Sequence, residues 1–138
     1  MGKRSLTDAE YAQLYTFRAR IRRFLRWSEE RIRAAGLTPS QYLLLLGIRA
    51  DPTGKGPTIG EMAEFLQLKH HTVVELVDRA QSADLIRRIP DAEDGRVVRL
   101  SLTAPGSQRL EDLASMNFRE LSRLELISRA LDRVTDEG

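Results

Sequence analysis

At 138 residues, with 41% hydrophobic and 30% charged side chains, the chain has the size and make-up of one globular domain and is too short for a multidomain enzyme. The sequence has no cysteine, which excludes disulfide staples, cysteine zinc sites, thiol nucleophiles and thiol-based sensing of peroxide. The net charge of +2 hides an uneven distribution: residues 1–36 hold nine Lys/Arg against four Asp/Glu, residues 104–138 hold five against seven, and residues 69–103 balance at six each. Nineteen of the 22 basic residues are Arg, a side chain suited to phosphate and carboxylate, which permits a nucleic-acid partner without demanding one.

The first residues, Met1-Gly2-Lys3-Arg4-Ser5, run into Thr7, Asp8 and Glu10 rather than an apolar segment, so a cytoplasmic protein without a secretory leader is expected. From Ser5 to Ala35, Tyr11, Leu14, Phe17, Ile21, Phe24, Leu25, Ser28 and Ile32 recur every three or four residues and predict one long amphipathic helix, Ser28 being its weak member and Gly36 its end. Thr38-Pro39-Ser40-Gln41 reads as a capping box opening a helix to about Ala50, whose leucine run implies deep burial. The run Tyr42–Ile48 is the longest apolar stretch, far short of the roughly 18 residues of a membrane span. Residues 51–57 form a loop by composition, and Thr58-Ile59-Gly60-Glu61 is a second capping box starting a short helix to about Leu66. After a tight turn, Lys69 to about Asp84 carries Val73, Leu76, Val77 and Ala80 on one stripe of a further helix.

The period then changes. Leu85–Pro90, a polar turn at 91–95, and Arg96–Thr103 with Val98, Leu100 and Leu102 alternating inward predict a two-stranded hairpin. Thr103 caps a last long helix, weakened at its start by Pro105 and Gly106, with a stripe of Leu110, Leu113, Leu121, Leu124, Ile127, Leu131 and Val134 that skips across Asn117. Two long terminal helices with one apolar face each exceed what so small a monomer can bury, so they are expected to pack across a two-fold homodimer. The expected architecture is mainly α with a small β-hairpin wing. A single domain, 1–138, holds an N-terminal dimerisation helix (5–36), a winged helix-turn-helix core (37–103) and a C-terminal dimerisation helix (104–138).

Helix, tight turn, helix and hairpin is the order of a winged helix-turn-helix, whose second helix enters the major groove. Several segments then resemble the MarR family: Leu37-Thr38-Pro39-Ser40-Gln41-Tyr42; Ile59-Gly60-Glu61-Met62-Ala63; Val73 to Arg79; and Asp91 to Leu102 with Asp94-Gly95-Arg96, followed by Thr103-Ala104-Pro105-Gly106. The resemblance covers nearly the whole chain and implies a homodimeric transcriptional regulator, usually a repressor of a palindromic double-stranded DNA operator, often released by a small aromatic or phenolic ligand. It makes Lys69 to Ala80 the recognition helix and Arg96 the wing residue that enters the minor groove, oriented by Asp94. With the apolar stripe turned inward, His71, Val74, Glu75 and Asp78 lie opposite, and His70 and Thr72 lie near the helix start. His70, His71, Thr72, Val74 and Glu75 are the expected base contacts, and Lys69, Arg79, Arg87 and Arg88 the expected phosphate contacts.

The chain departs from the family at four positions. Gln67 stands where Gly is usual in the turn, Lys69 where the cap is often Ser or Asn, Glu75 where a basic residue is common, and Gly95 in place of the first of two wing arginines. Fewer cations facing phosphate imply modest non-specific affinity. They also leave open a second reading, a winged-helix protein-interaction module with weak or no operator binding.

Other motifs lead nowhere chemical. His70-His71 lacks further ligands for a metal, so none is expected. Gly54-Lys55-Gly56 lacks the spacing and hydroxyl of a phosphate loop, and 91–95 lacks the oxygen ligands of a calcium loop. No catalytic set or cofactor fingerprint is present, so neither enzyme activity nor a cofactor is expected. Arg18, Arg20, Arg22, Arg23 and Arg26 form a basic run on the first helix, read either as a solvated face or as part of a cleft for a carboxylate ligand. Tyr11, Tyr15, Arg18 and Tyr42 are the candidate pocket residues, the aromatics among them equally good as core.

Overall fold

The computed structural model describes residues 4–124. It contains α1 (Asp8–Ala34), α2 (Pro39–Arg49), α3 (Ile59–Leu66), α4 (His70–Ser82), β1 (Ile86–Pro90), β2 (Val98–Leu102) and α5 (Ala104–Leu124). The chain divides into two compact units: residues 32–115, and a second formed among the described residues by 4–31 and 116–124. The expected stripe positions Ile127, Leu131 and Val134 lie outside the described residues.

In the 32–115 unit, local chemistry sets nearly every helix end. Thr38 closes a full capping box: its hydroxyl accepts from the Gln41 amide at 3.1 Å and its own amide donates to Gln41 Oε1 at 2.9 Å. The box expected at Thr58 is only half formed. The Thr58 hydroxyl accepts from the Glu61 amide at 3.1 Å, but the Glu61 carboxylate accepts from that hydroxyl instead of from the Thr58 backbone, which forms a β-bridge with Arg99.

Three helices end in the same Schellman arrangement. Gly36, Gln67 and Asp84 take left-handed backbone (φ 83°, 55° and 58°), and the next amides, of Leu37, Leu68 and Leu85, reach back to the carbonyls of Ile32, Ala63 and Ala80 at 3.0–3.1 Å. A left-handed non-glycine costs on the order of 1–2 kcal/mol, which the recovered carbonyl bonds and the burial of leucine beyond the turn offset at Asp84. This motif ends α4 at Ser82, short of the expected Asp84.

The core of this unit gathers Leu37, Tyr42, Leu44, Leu45, Ile48, Met62, Val73, Val77, Ala80, Leu85, Ile86, Leu100, Leu110 and Leu113, all under 9% exposed. The leucine run of α2 is not buried throughout: Leu43 is 43% exposed, because successive residues step about 100° around a helix and four in a row cannot share one face. Leu76 is likewise only half-buried at the margin of the α4 stripe.

The hairpin strands pair antiparallel with Ile86 opposite Leu102 and Pro90 opposite Val98, leaving a longer turn, 91–97, than composition indicates. Of the three residues expected to point inward, Leu100 is fully buried, Leu102 half-buried and Val98 exposed, since Val98 lies at the turn end of the ladder, away from the core. The loop read from composition also contributes a strand-like edge: the Leu100 amide donates to the Pro57 carbonyl at 2.8 Å.

Thr103 joins the hairpin to α5. Its hydroxyl donates to the Asp84 carbonyl at 2.6 Å and accepts from the Gly106 amide at 2.9 Å, so one side chain holds both a turn and a helix start. In the second unit, the polar interruptions of the two terminal stripes meet: buried Ser28 of α1 donates its hydroxyl to Oδ1 of buried Asn117 of α5. A polar pair in an apolar seam disfavours slipped registers, because either partner alone would be buried unsatisfied.

The start of α1 is capped by a box that periodicity does not reveal. Thr7 and Glu10 exchange amide-to-side-chain bonds at 3.0 and 3.1 Å, and Arg4 forks onto the Glu10 carboxylate at 2.8 and 3.0 Å. The Arg4 hydrogen bonds, and then those from Thr7, hold the Glu10 carboxyl down at about 2, against an ordinary 4.5. A depressed folded-state value means that the cap is intact at neutral pH and down past 4.5, and is lost as the pH falls through about 2. Carboxyl NMR titration is expected to place Glu10 near that value in the native chain, and Arg4→Ala is expected to return it toward 4.5.

Candidate nucleic-acid interface

The exposed side of α4 and the hairpin turn belong to the same unit. On α4, His70, His71, Glu75, Asp78 and Arg79 are exposed and Thr72 and Val74 half-buried, while Val73, Val77 and Ala80 are sealed in the core. Every expected base-contact residue is therefore reachable from solvent. Lys69 occupies the N-cap with extended backbone and makes no side-chain cap bond, so no cap side chain serves the first-turn amides of α4. Lys69→Ser is expected to raise stability by about 1 kcal/mol, read by urea unfolding; an unchanged midpoint would mean that those amides already have partners.

In the turn, Arg96 extends into solvent with its side chain 91% exposed. Its guanidinium lies 3.1 and 3.3 Å from the two Asp94 oxygens, and its amide donates to Asp94 Oδ1 at 3.1 Å. The Arg96 side chain first, and then that amide, keep the Asp94 carboxyl below its usual range. The geometry is a carboxylate that limits the sweep of a projecting cation.

Arg99 and Asp91, which the sequence does not single out, anchor the base of this turn. Asp91 accepts from the Glu93 amide and from Arg99 Nε, both at 2.9 Å, and Arg99 reaches the Gly56 carbonyl at 3.0 Å. The Glu93 amide and then Arg99 hold the Asp91 carboxyl low. Only a view of the 51–57 loop beside β2 could have revealed this link, because 43 residues separate Arg99 from Gly56.

The expected phosphate contacts divide. Lys69, Arg79 and Arg87 are exposed, whereas Arg88 is half-buried, with NH2 2.6 Å from Asp78 Oδ1 and NH1 2.8 Å from Gln81 Oε1. Tyr11 and Tyr15 are 59% and 78% exposed, and Tyr42 is a core residue of the 32–115 unit, whose burial pushes its phenol upward. Arg18 lines a groove of about 390 Å³, bordered among the described residues by Ile21, Arg22, Leu25, Arg26 and Glu29. Among the described residues no group of three or more metal-ligating side chains is close enough to hold an ion, and no helix is long and apolar enough to cross a membrane.

Two helices joined by a tight turn, followed by a hairpin with a projecting arginine, define a winged helix-turn-helix. The MarR family model matches residues 35–97, the winged-helix part of this chain. Among curated relatives, the HTH-type transcriptional repressor MdtR of Bacillus subtilis (strain 168) is 29% identical over 108 residues, which make up 78% of this chain and 64% of that protein. The chain thus spans less than two thirds of the length of that relative. A MarR family protein from Bacillus stearothermophilus shares the fold with a TM-score of 0.77 at 22% identity, covering 96% of this chain and 98% of that one. The S. aureus MepR–DNA complex is similar at a TM-score of 0.64 and 25% identity, with 89% of each chain covered.

Proposed function

We propose that this chain is a dimeric, sequence-specific DNA-binding transcriptional regulator of the MarR type, not an enzyme, acting as a repressor that a small aromatic or phenolic ligand releases. The observation that carries the proposal is the pairing, in one compact unit, of an accessible α4 face with an Arg96 that projects from the hairpin turn under Asp94 control. In this reading His70, His71, Thr72, Val74 and Glu75 meet base edges, Lys69, Arg79 and Arg87 meet phosphates, and Arg96 enters the adjacent minor groove. The DNA complex of MepR and the repressor name of MdtR support it. The apolar residues left exposed on α1, among them Leu14 at 53% and Leu25 at 49%, support a homodimer. The arginines of the Arg18 groove suit a ligand carboxylate. A cytoplasmic location follows from the proposed role.

The test is binding of the purified chain to the DNA upstream of its own gene as salt is varied. A regulator gives a site-preferring complex whose log affinity falls linearly with log salt, with a slope of several phosphates. Binding without site preference, or none, favours the protein-interaction module. A screen of aromatic acids for a rise in melting temperature tests the effector, since a ligand bound only by the folded state stabilises it.

A further inference from the structure

We infer that Arg88 and Asp78 form a brace that holds the wing at a fixed offset from the recognition helix, and that Arg88 acts on DNA affinity through this brace rather than by touching phosphate. The inference rests on the DNA-binding reading above. Arg88 lies at the middle of β1, opposite Leu100, while its guanidinium fork grips two positions one turn apart on α4, Asp78 and Gln81. A fork held at two points fixes direction as well as distance, which a single ammonium contact does not.

The neighbours show why this arginine differs from the others. Arg87, one residue earlier, points to the opposite side of the ladder and is exposed; Arg88 is 29% exposed with its charge already met by a carboxylate at 2.6 Å. A cation so neutralised releases few counterions on meeting DNA. Asp78, in turn, is an anion on the face of α4 that would meet the duplex, where its charge alone opposes binding. A net benefit from Asp78 therefore has to come through Arg88. A partly exposed pair of this kind adds little to global stability, so its effect lies in wing placement. If the wing occupies its docking position one tenth of the time without the brace, apparent affinity falls about tenfold.

The experiment compares Asp78→Ala, Arg88→Lys and the double variant with the wild type by operator binding across a salt series, with amide hydrogen exchange on the free proteins. The brace predicts that each single variant weakens binding about tenfold with the salt slope unchanged, and that the double is no weaker than either. Exchange of the β1 and β2 amides is expected to quicken in all three while α2 keeps wild-type protection, which separates a loosened wing from a poorly folded chain. Tighter binding by Asp78→Ala, or wild-type affinity in Arg88→Lys, would overturn the brace, since charge alone then explains both residues. If the wild type binds no DNA, the regulator reading fails by itself and exchange decides the brace: unaltered β1 and β2 exchange rejects it.

Discussion

Gly106→Ala is expected to destabilise the winged-helix unit by about 3 kcal/mol or more, although intrinsic helix propensity alone would make it stabilising by about 1 kcal/mol. The sign reverses because the first turn of α5 lies directly on the backbone after α4: a Cβ at Gly106 would fall deep inside the Leu85 carbonyl oxygen and crowd the Leu85 carbonyl carbon. That carbonyl cannot retreat, since it accepts from the Thr103 amide at 3.0 Å, and Leu85 itself is core. The Gly106 amide is also tied to the Thr103 hydroxyl, so the helix cannot slide away without breaking its cap. Gly95→Ala is the control, because an added Cβ there meets nothing within 4 Å, and its effect should stay within about 0.5 kcal/mol. Thermal unfolding is expected to show a fall of about 12 °C or more for Gly106→Ala and near-identity for Gly95→Ala. Equal midpoints for the two would contradict the packing of α5 on Leu85.

Arg96→Ala is expected to leave the fold unchanged and to remove most operator affinity. The side chain buries nothing, and an exposed pair with Asp94 contributes about 0–1 kcal/mol to stability, so the melting temperature should barely move. Loss of one specific groove contact costs about 1–3 kcal/mol; at the low end this is about fivefold per protomer, or about thirtyfold for a two-fold complex. Gly95 makes the dependence sharper, because the turn has no second arginine to take over. Asp94→Ala separates charge from geometry: removal of an anion near DNA should tighten binding, whereas loss of the tether should weaken it. The tether is expected to prevail. Equilibrium titration of both variants at fixed salt checks these signs.

How much of this was legible in the sequence depended on the range of the interactions. Features written within four residues were readable: the Thr38–Gln41 box and the Gly36 ending stand where local chemistry puts them. The α4 stripe was readable because helical period separates Val73, Val77 and Ala80 from the exposed side. Thr7–Glu10 carries the same local signature, one that apolar periodicity does not register.

What escaped was long-range. Ser28 and Asn117 looked like two unrelated defects in apolar stripes until α1 and α5 brought them together across 89 residues. Gly106 looked like a weak helix former because nothing in its neighbourhood announces the Leu85 carbonyl beneath it. Arg88 and Arg87 are identical in type and adjacent, and only the pleat of β1 sends one to Asp78 and the other to solvent. Aromatic type likewise does not tell a buried Tyr42 from an exposed Tyr15.

The most direct test of the account is a footprint of the wild-type chain on its upstream DNA, reading major-groove protection by guanine methylation and backbone protection by hydroxyl radicals, with Arg96→Ala alongside. Two major-groove patches one helical turn apart, about 10 base pairs centre to centre, are expected, with flanking minor-groove protection that Arg96→Ala removes. Protection that ignores sequence, or flanks that persist without Arg96, would contradict the assignment of α4 and the wing as the DNA-reading surface.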